Sequence, residues 1–363
     1  MKICVYAIAL NEAQFCRRFC DSARDADLIL IADTGSTDET VQIARDCGAQ
    51  AHSIHIRPWR FDLARNAALA LIPADIDVCV SLDLDEVLQP SWREEIEATW
   101  KLGETTRLRY GFDWGAGIAF QYEKIHARDG YRWHHPVHEY PMPDGRITEV
   151  YAETFRLLVV HQPDPTKSRG QYLDLLKMSV EEDPRCPRNA FYYARELSFH
   201  RCWQDAIDAC ERYLAMPEAT WTNERCYAMR VAARSSAELG RWDEALAWAR
   251  KGVAEAPETR EPWCELAMLT YRTGRWAECL GACLSALAIT NREKLYTVDP
   301  AVWGSLPHDL ASVAAWNLEL KDIAVQQAML ALEKEPDNPR LQENLEWVSG
   351  RKTKEPEPIE EAA

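Results

Sequence analysis

The 363-residue chain contains no run approaching the ~20 apolar residues that a membrane helix requires. It also lacks any C-x-x-C pair, so its 12 cysteines do not have the spacing of a zinc ribbon or a redox dithiol. Cys16/Cys20 and Cys279/Cys283 have the i,i+4 spacing of small side chains buried on one helix face. A basic excess is missing too. Lys and Arg total 42 against 58 Asp and Glu, a net charge of −16, and neither half is basic. That balance argues against charge-driven binding to nucleic acid or anionic membrane. The start, MKICVYAIALNEAQF, turns polar at Asn11 and has no small-residue cleavage site, so it reads as a first strand and not a signal peptide. A cytoplasmic chain without a membrane span is expected. Its composition, 47% hydrophobic with 14 Trp, is that of folded domains and leaves room for two.

The two halves follow different patterns. Up to residue 165, short apolar runs alternate with amphipathic stretches. Strands are predicted at Ile3–Leu10, Leu28–Ala32, Ala51–Ile56 and Asp77–Leu82, with helices at Ala13–Ala23, Val41–Cys47 and Phe61–Leu71. This alternation predicts an α/β domain with a mostly parallel, Rossmann-like sheet, which binds ligands at the carboxyl ends of its strands. From residue 166 the strands stop. ELGRWDEALAWARKGV, from Glu238, matches RTGRWAECLGACLSAL, from Arg272, with a shift of 34 that maps Gly240 on Gly274 and Trp242 on Trp276. An earlier copy places Trp203 39 residues before Trp242, and a later, weaker copy follows an insertion around YTVDPAVWGSLP. The period, the turn glycines and Pro257 and Pro336 after second helices resemble the tetratricopeptide repeat, which predicts an all-α solenoid over 166–350. The tail RKTKEPEPIEEAA, 351–363, is expected to be disordered.

Four polar segments follow the predicted strands, so a parallel sheet gathers them at one edge. They hold Asn11 and Glu12; Asp33, Gly35, Ser36 and Asp38; Arg65 and Asn66; and Asp83, Asp85 and Glu86. Each alone has an ordinary reading: Asp and Ser before a helix are common caps, and a lone Arg is as readily a salt-bridge partner. Together they form a crevice of several acids around one arginine. Carboxylates suit hard divalent cations such as Mg²⁺ or Mn²⁺, and the spacing of Asp83 and Asp85 on a strand end would point both the same way. Arg65 has the planar fork that contacts phosphate.

As a set, ALNE (9–12), DTGSTDET (33–40), LARNAAL (63–69) and DLDE (83–86) resemble the family 2 glycosyltransferases, whose GT-A fold is a nucleotide-binding sheet. The resemblance covers roughly residues 1–165. It implies that Asp33 reads the nucleotide base, that Asp83 faces the ribose, and that Asp85 binds the metal bridging the donor's phosphates. Asn11, Glu12, Gly35, Ser36, Asp38 and Arg65 would complete the donor site. The chain departs from the family at RFDLARN, where Asp62 stands in place of a small hydroxyl. PVHE resembles the His-Glu signature of repeat-bearing members, which implies His138 as an additional metal ligand; Glu139 or another nearby acid is the candidate general base, with Asp113 an outside candidate. His134 and His135 are adjacent, so at most one faces the site. Trp114, Tyr122, Tyr131 and Trp133 line either an acceptor groove or the core.

The reaction implied is a metal-dependent, inverting transfer from a nucleotide sugar, by default a UDP-sugar. Tetratricopeptide grooves bind polypeptide, which favours a peptide, protein or glycan acceptor presented by the repeats. A second reading puts a hydroxymethylated DNA base at the acceptor site. Residues 107–146 are rich in aromatics and Arg, but six Lys/Arg against five Asp/Glu leave no electrostatic footprint there. A third is a catalytically inactive repeat scaffold, against which stands the intact acid cluster.

Overall fold

In a computed structural model, residues 1–115, 117–164, 170–354 and 356–359 are described, and the chain divides into two compact units. The first comprises Met1–Ser179 with Lys294–Tyr296, the second Val180–Glu293 with Thr297–Ala363. The boundary expected at 165/166 falls outside the described residues.

The first unit opens as the periodicity predicts: β1 (Ile3–Ala9), α1 (Ala13–Ser22), β2 (Leu28–Asp33), α2 (Thr40–Asp46), β3 (Gln50–Ser53), α3 (Phe61–Leu71) and β4 (Val78–Ser81). β1 is buried along nearly its whole length, as a central parallel strand covered on both faces must be. Its side chains divide by parity. Ile3, Val5 and Ala7 join Phe15, Phe19 and Val80 in one core, while Cys4 and Tyr6 join Leu30, Ala68 and Trp133 in another on the opposite face. Cys16 and Cys20 lie in the first core, as their spacing predicts.

The sheet then continues with β5 (Glu86–Leu88), β6 (Arg107–Gly115), β7 (Ile118–Ala127) and β10 (Tyr151–His161), in the order β3-β2-β1-β4-β7-β6-β10-β5. The pairings β3–β2, β2–β1, β1–β4 and β6–β10 are parallel, and β4–β7, β7–β6 and β10–β5 antiparallel. A two-stranded ribbon, β8 (Tyr131–His134) with β9 (Tyr140–Pro143), stands apart from the sheet. A helix α4 (Trp92–Thr99) buries Trp92 and Ile96, and α5 (Tyr172–Glu182) crosses the boundary between the units.

The second unit is a series of helix pairs: α6 (Pro187–Phe199) with α7 (Trp203–Leu214), α8 (Thr222–Glu238) with α9 (Trp242–Glu255), α10 (Arg260–Arg272) with α11 (Trp276–Ala288), and α12 (Leu306–Asn317) with α13 (Lys321–Lys334), closed by α14 (Pro339–Val348). The pairs share one turn, in which the residue two before the second helix is left-handed: Arg201, Gly240, Gly274 and Glu319, with φ between 57° and 73°. In each, the next amide reaches back five residues, as when Arg241 N donates to the Ser236 carbonyl at 2.9 Å and Arg275 N to that of Thr270 at 2.8 Å. The insertion between the third and fourth pairs holds a short 3₁₀ turn at Pro300–Trp303. A shallow, open cleft there is lined by residues that include Tyr227, Arg230, Glu261 and Trp303. In the tail, Ile359 N donates to the Tyr271 hydroxyl at 3.2 Å.

Candidate active site

The loop after β2 is an organised cradle. Asp33 is buried at the strand end and its carboxylate accepts from the amides of Gly35 and Ser36, each at 3.1 Å. Gly35 has φ +121°, a conformation that strains any residue with a Cβ. Asn11, itself at φ 55°, donates its amide to Ser36 Oγ at 2.8 Å and accepts from Thr37 N at 2.7 Å through Oδ1. The loops after β1 and β2 are thereby stitched together. Asp38 accepts from Ala13 N at 3.1 Å and from Thr40 N at 3.0 Å and its hydroxyl at 2.5 Å. Desolvation pushes its carboxyl up, but those hydrogen bonds outweigh it and hold the group below the usual carboxylate range. Thr40 in turn accepts from Glu12 N at 2.7 Å, a joint the sequence reading missed because the threonine sits inside a run of ordinary helix-start residues.

The acid cluster is arranged differently from the expectation. β4 stops at Ser81, so Asp83 and Asp85 lie in a turn, closed by Glu86 N donating to the Asp83 carbonyl at 3.0 Å, and Glu86 opens β5. The strand alternation that would point both acids one way does not apply, and they meet different partners.

Asp83 faces two cations. Arg65 Nη2 donates to Oδ1 at 2.5 Å, and Lys124 Nζ stands 3.3 Å from Oδ2. Arg65, 2% exposed, also donates through Nε to Glu139 Oε1 and through Nη1 to Ser81 Oγ at 3.1 Å. Its guanidinium lies 4.9 Å from the Trp133 ring centroid. Lys124, buried on β7, lies 3.4 Å from Glu86 Oε1, and Glu86 Oε2 accepts from Asp83 N at 2.9 Å. One ionic chain thus runs Glu139–Arg65–Asp83–Lys124–Glu86. Burial raises the Asp83 carboxyl, but Arg65 and Lys124 more than reverse it and hold it well below its ordinary value. Burial wins at Glu86, where it pushes the carboxyl up to about 7 against the pull of Lys124. Burial opposes the charge on Lys124, yet Asp83 and Glu86 keep its ammonium well above its ordinary value.

Asp85, also buried, instead meets His161, which ends β10: Nε2 is 3.5 Å from Oδ2. Burial favours neutral imidazole, but the Asp85 carboxylate outweighs it and raises the His161 pKa. The contact follows from the register, since His161 pairs with Glu86 across β10–β5. On its other side the His161 ring meets Trp114, at 4.3 Å between centroids. A carboxylate beside an imidazole is a donor set that Mn²⁺ accepts. Among the described residues no three His, Cys, Asp or Glu form a complete metal cage. His161 was not among the expected ligands. The one signal for it was its position at the end of an apolar run, RLLVVH.

His138, the ligand implied by PVHE, is left-handed at φ 51° and its ring packs edge-on against Tyr172, at 5.7 Å between centroids. Asp113 Oδ1 accepts from Gly115 N at 2.9 Å on β6. Of the aromatics, Trp133 and Tyr131 are buried, Tyr122 is partly buried and packs on Phe112, and Trp114 is 45% exposed. Asn66 clamps the ribbon, donating to the Trp133 carbonyl at 2.8 Å and accepting from Trp133 N at 2.9 Å. Below it, Trp133 Nε1 donates to Tyr6 Oη at 2.8 Å, which lies 3.0 Å from His126 Nε2. His126 Nδ1 is 2.8 Å from the Ala127 carbonyl. Asp62, the departure noted in RFDLARN, accepts from Arg60 Nε at 3.0 Å and from Leu63 N at 2.8 Å, so an ion pair occupies that position.

Residues 4–126 match the family model for glycosyl transferase family 2. A Rickettsia bellii (strain RML369-C) protein described as an uncharacterized glycosyltransferase is 32% identical over 97 residues, which are 26% of this chain and 32% of that protein. The chain thus spans about a third of the length of that curated relative. Among solved structures, MamA is similar over 45% of this chain and 81% of its own, at 15% identity and a TM-score of 0.37. YrrB, described as a TPR protein with an unusual peptide-binding site, is similar over 48% and 81%, at 16% identity and the same TM-score.

Proposed function

We propose that this chain is a metal-dependent, inverting glycosyltransferase that moves a sugar from a nucleoside-diphosphate sugar, by default a UDP-sugar, to a macromolecular acceptor. The observation that carries this reading is the approach of Asp85 to His161 at 3.5 Å beside the ionic chain of Arg65, Asp83 and Lys124. The family match over residues 4–126 supports the class of reaction.

In this reading the Asn11–Asp38 cradle receives the nucleoside, with Asp33 at the base and Glu12 and Ser36 in the loops around it. Asp85 and His161 would hold a divalent cation; His138 remains the ligand implied by resemblance alone. A cation held by Asp85 and His161 would supply positive charge to offset that of a departing diphosphate. Arg65 and Lys124 fix Asp83 at the edge of the donor site. An acceptor hydroxyl oxygen attacks the anomeric carbon as the bond to the diphosphate oxygen breaks, and a single displacement inverts that carbon. The hydroxyl proton passes to a carboxylate: Glu139, aligned by Arg65, or Asp113. The repeats would contact the acceptor, a peptide, protein or glycan, or a partner protein that presents it. No helix among the described residues is long and apolar enough to cross a membrane.

The test is release of nucleoside diphosphate from a panel of nucleotide sugars with Mn²⁺ and with EDTA, in the wild type and in Asp85→Ala. Turnover that requires metal and falls at least 100-fold in a folded Asp85→Ala supports the reading. Retained activity in that variant refutes the metal assignment. Absence of metal-dependent turnover together with absence of donor binding by calorimetry refutes the enzyme.

A further inference from the structure

Trp114 is a large aromatic left half-exposed at the end of β6. Phe112, two residues earlier on the same face of β6, is fully buried, whereas Trp114 is 45% exposed. Its indole rests on the His161 imidazole, at 4.3 Å and 34° between planes. His161 in turn reaches Asp85 at 3.5 Å. Gly115, the next residue, has φ 90°, so the backbone departs from extended strand geometry just beyond the indole. One part of the ring is therefore covered by the imidazole that borders the acid cluster, and the remainder is open to solvent.

The geometry points to a carbohydrate-binding platform: Trp114 stacks on the C–H face of a pyranose ring and holds an acceptor sugar next to the Asp85–His161 pair. This inference deepens the glycosyltransferase reading and rests on it for the role of acceptor. An aromatic face is electron-rich and apolar, so it attracts the weakly positive C–H bonds on one side of a pyranose while the hydroxyls at the ring edge stay hydrated or meet protein acceptors. Two alternatives fit less well. Under the proposed function the donor nucleotide is already seated in the Asn11–Asp38 cradle, which leaves the indole beside Asp85 to the acceptor. A flat aromatic side chain would gain the stacking but bring no ring of hydroxyls to the polar groups around the indole.

Saturation-transfer NMR on the full-length protein tests this without requiring turnover. The probes are methyl β-D-glucopyranoside, N-acetyl-tyrosinamide and thymidine 5′-monophosphate, presented to wild type, Trp114→Ala and Trp114→Phe. We expect saturation of the pyranoside ring protons in the wild type, at least a fivefold loss in Trp114→Ala, and recovery of more than half in Trp114→Phe. A pyranoside signal that is absent from the wild type, or equal in Trp114→Ala, overturns the inference, as does a Trp114-dependent signal from the tyrosinamide or the nucleotide alone. Nucleotide-sugar turnover by the wild type is measured in parallel. Turnover with Trp114-independent pyranoside binding removes the platform and leaves the enzyme. Trp114-dependent binding without turnover leaves a carbohydrate site and removes the transferase.

Discussion

Arg65 offers the most demanding check of the site, because its charge is balanced by two carboxylates of unequal burial. In Arg65→Met the guanidinium disappears and Glu139, whose side chain is 9% exposed, is left as an uncompensated buried carboxylate. Breaking a buried pair in this way costs about 3–5 kcal/mol. Asp83 adds little, because its side chain is 41% exposed and Lys124 stays 3.3 Å away. Loss of the contact with the Trp133 ring adds about 1 kcal/mol. The single variant should therefore lose roughly 4–6 kcal/mol. Glu139→Gln keeps the hydrogen-bond acceptor and leaves Arg65 with Asp83, so its cost should be nearer 2 kcal/mol. In the double variant Glu139→Gln removes the orphaned charge that makes Arg65→Met so damaging. The double should then be at least about 2 kcal/mol more stable than the sum of the singles predicts. Two units need not unfold together, so the readout is hydrogen exchange in full-length protein, on peptides from α3, β4 and the β8–β9 ribbon. Additivity within about 0.5 kcal/mol would show that Arg65 and Glu139 are not energetically paired, and the ionic chain would fail as a description of the site.

Other expectations are independent of that pair. Burial holds the His126 pKa down to about 4, whereas an unfolded histidine titrates near 6.5. Its contribution to stability is complete above pH 6.5 and drains away as pH falls toward 4, amounting to about 2 kcal/mol lost by pH 5. Thermal melts at pH 7.5 and pH 5 should show a smaller loss in His126→Gln than in wild type, and an equal loss would contradict the assignment. In the repeats, Arg201 and Glu319 occupy the left-handed turn position that Gly240 and Gly274 fill elsewhere. Arg201→Gly and Glu319→Gly should each be neutral to stabilising by up to about 1 kcal/mol, while Gly240→Ala and Gly274→Ala should each cost about 1 kcal/mol. Urea unfolding of the four variants measures the contrast, and destabilisation by both glycine substitutions would rule out a shared turn.

The strand–helix alternation up to Ser81 could be read from period alone, because each strand there is a short apolar run and each helix has one buried stripe. Phe61–Leu71 matched residue for residue. The helix pairs were equally legible, since glycine marks two of their turns. The remainder of the sheet was not, because β6, β7 and β10 mix Arg, Glu and aromatic residues on half-covered faces, where alternation is blurred. That is also why His161 and Lys124 escaped notice. The first reaches Asp85 through the β10–β5 pairing and the second reaches Asp83 from β7, and both contacts depend on strand order, which spacing does not encode. Asp83 and Asp85 stand out by composition, but the direction each faces is set by a turn beyond the strand end, where side chains do not alternate.

The bonds linking Trp133, Tyr6 and His126 have a direction. An indole nitrogen can only donate, so Tyr6 oxygen must accept at that end. A backbone carbonyl can only accept, so the proton of neutral His126 sits on Nδ1 and Nε2 is left to receive from Tyr6. Both ends dictate the same polarity, and no member can be reversed without setting two donors or two acceptors against each other. A chain with one permitted orientation cannot carry protons to and fro. It is a fixed rod of aligned dipoles running through one core of the sheet to the ring on which Arg65 rests, and a second proton on His126 would break it at the middle joint.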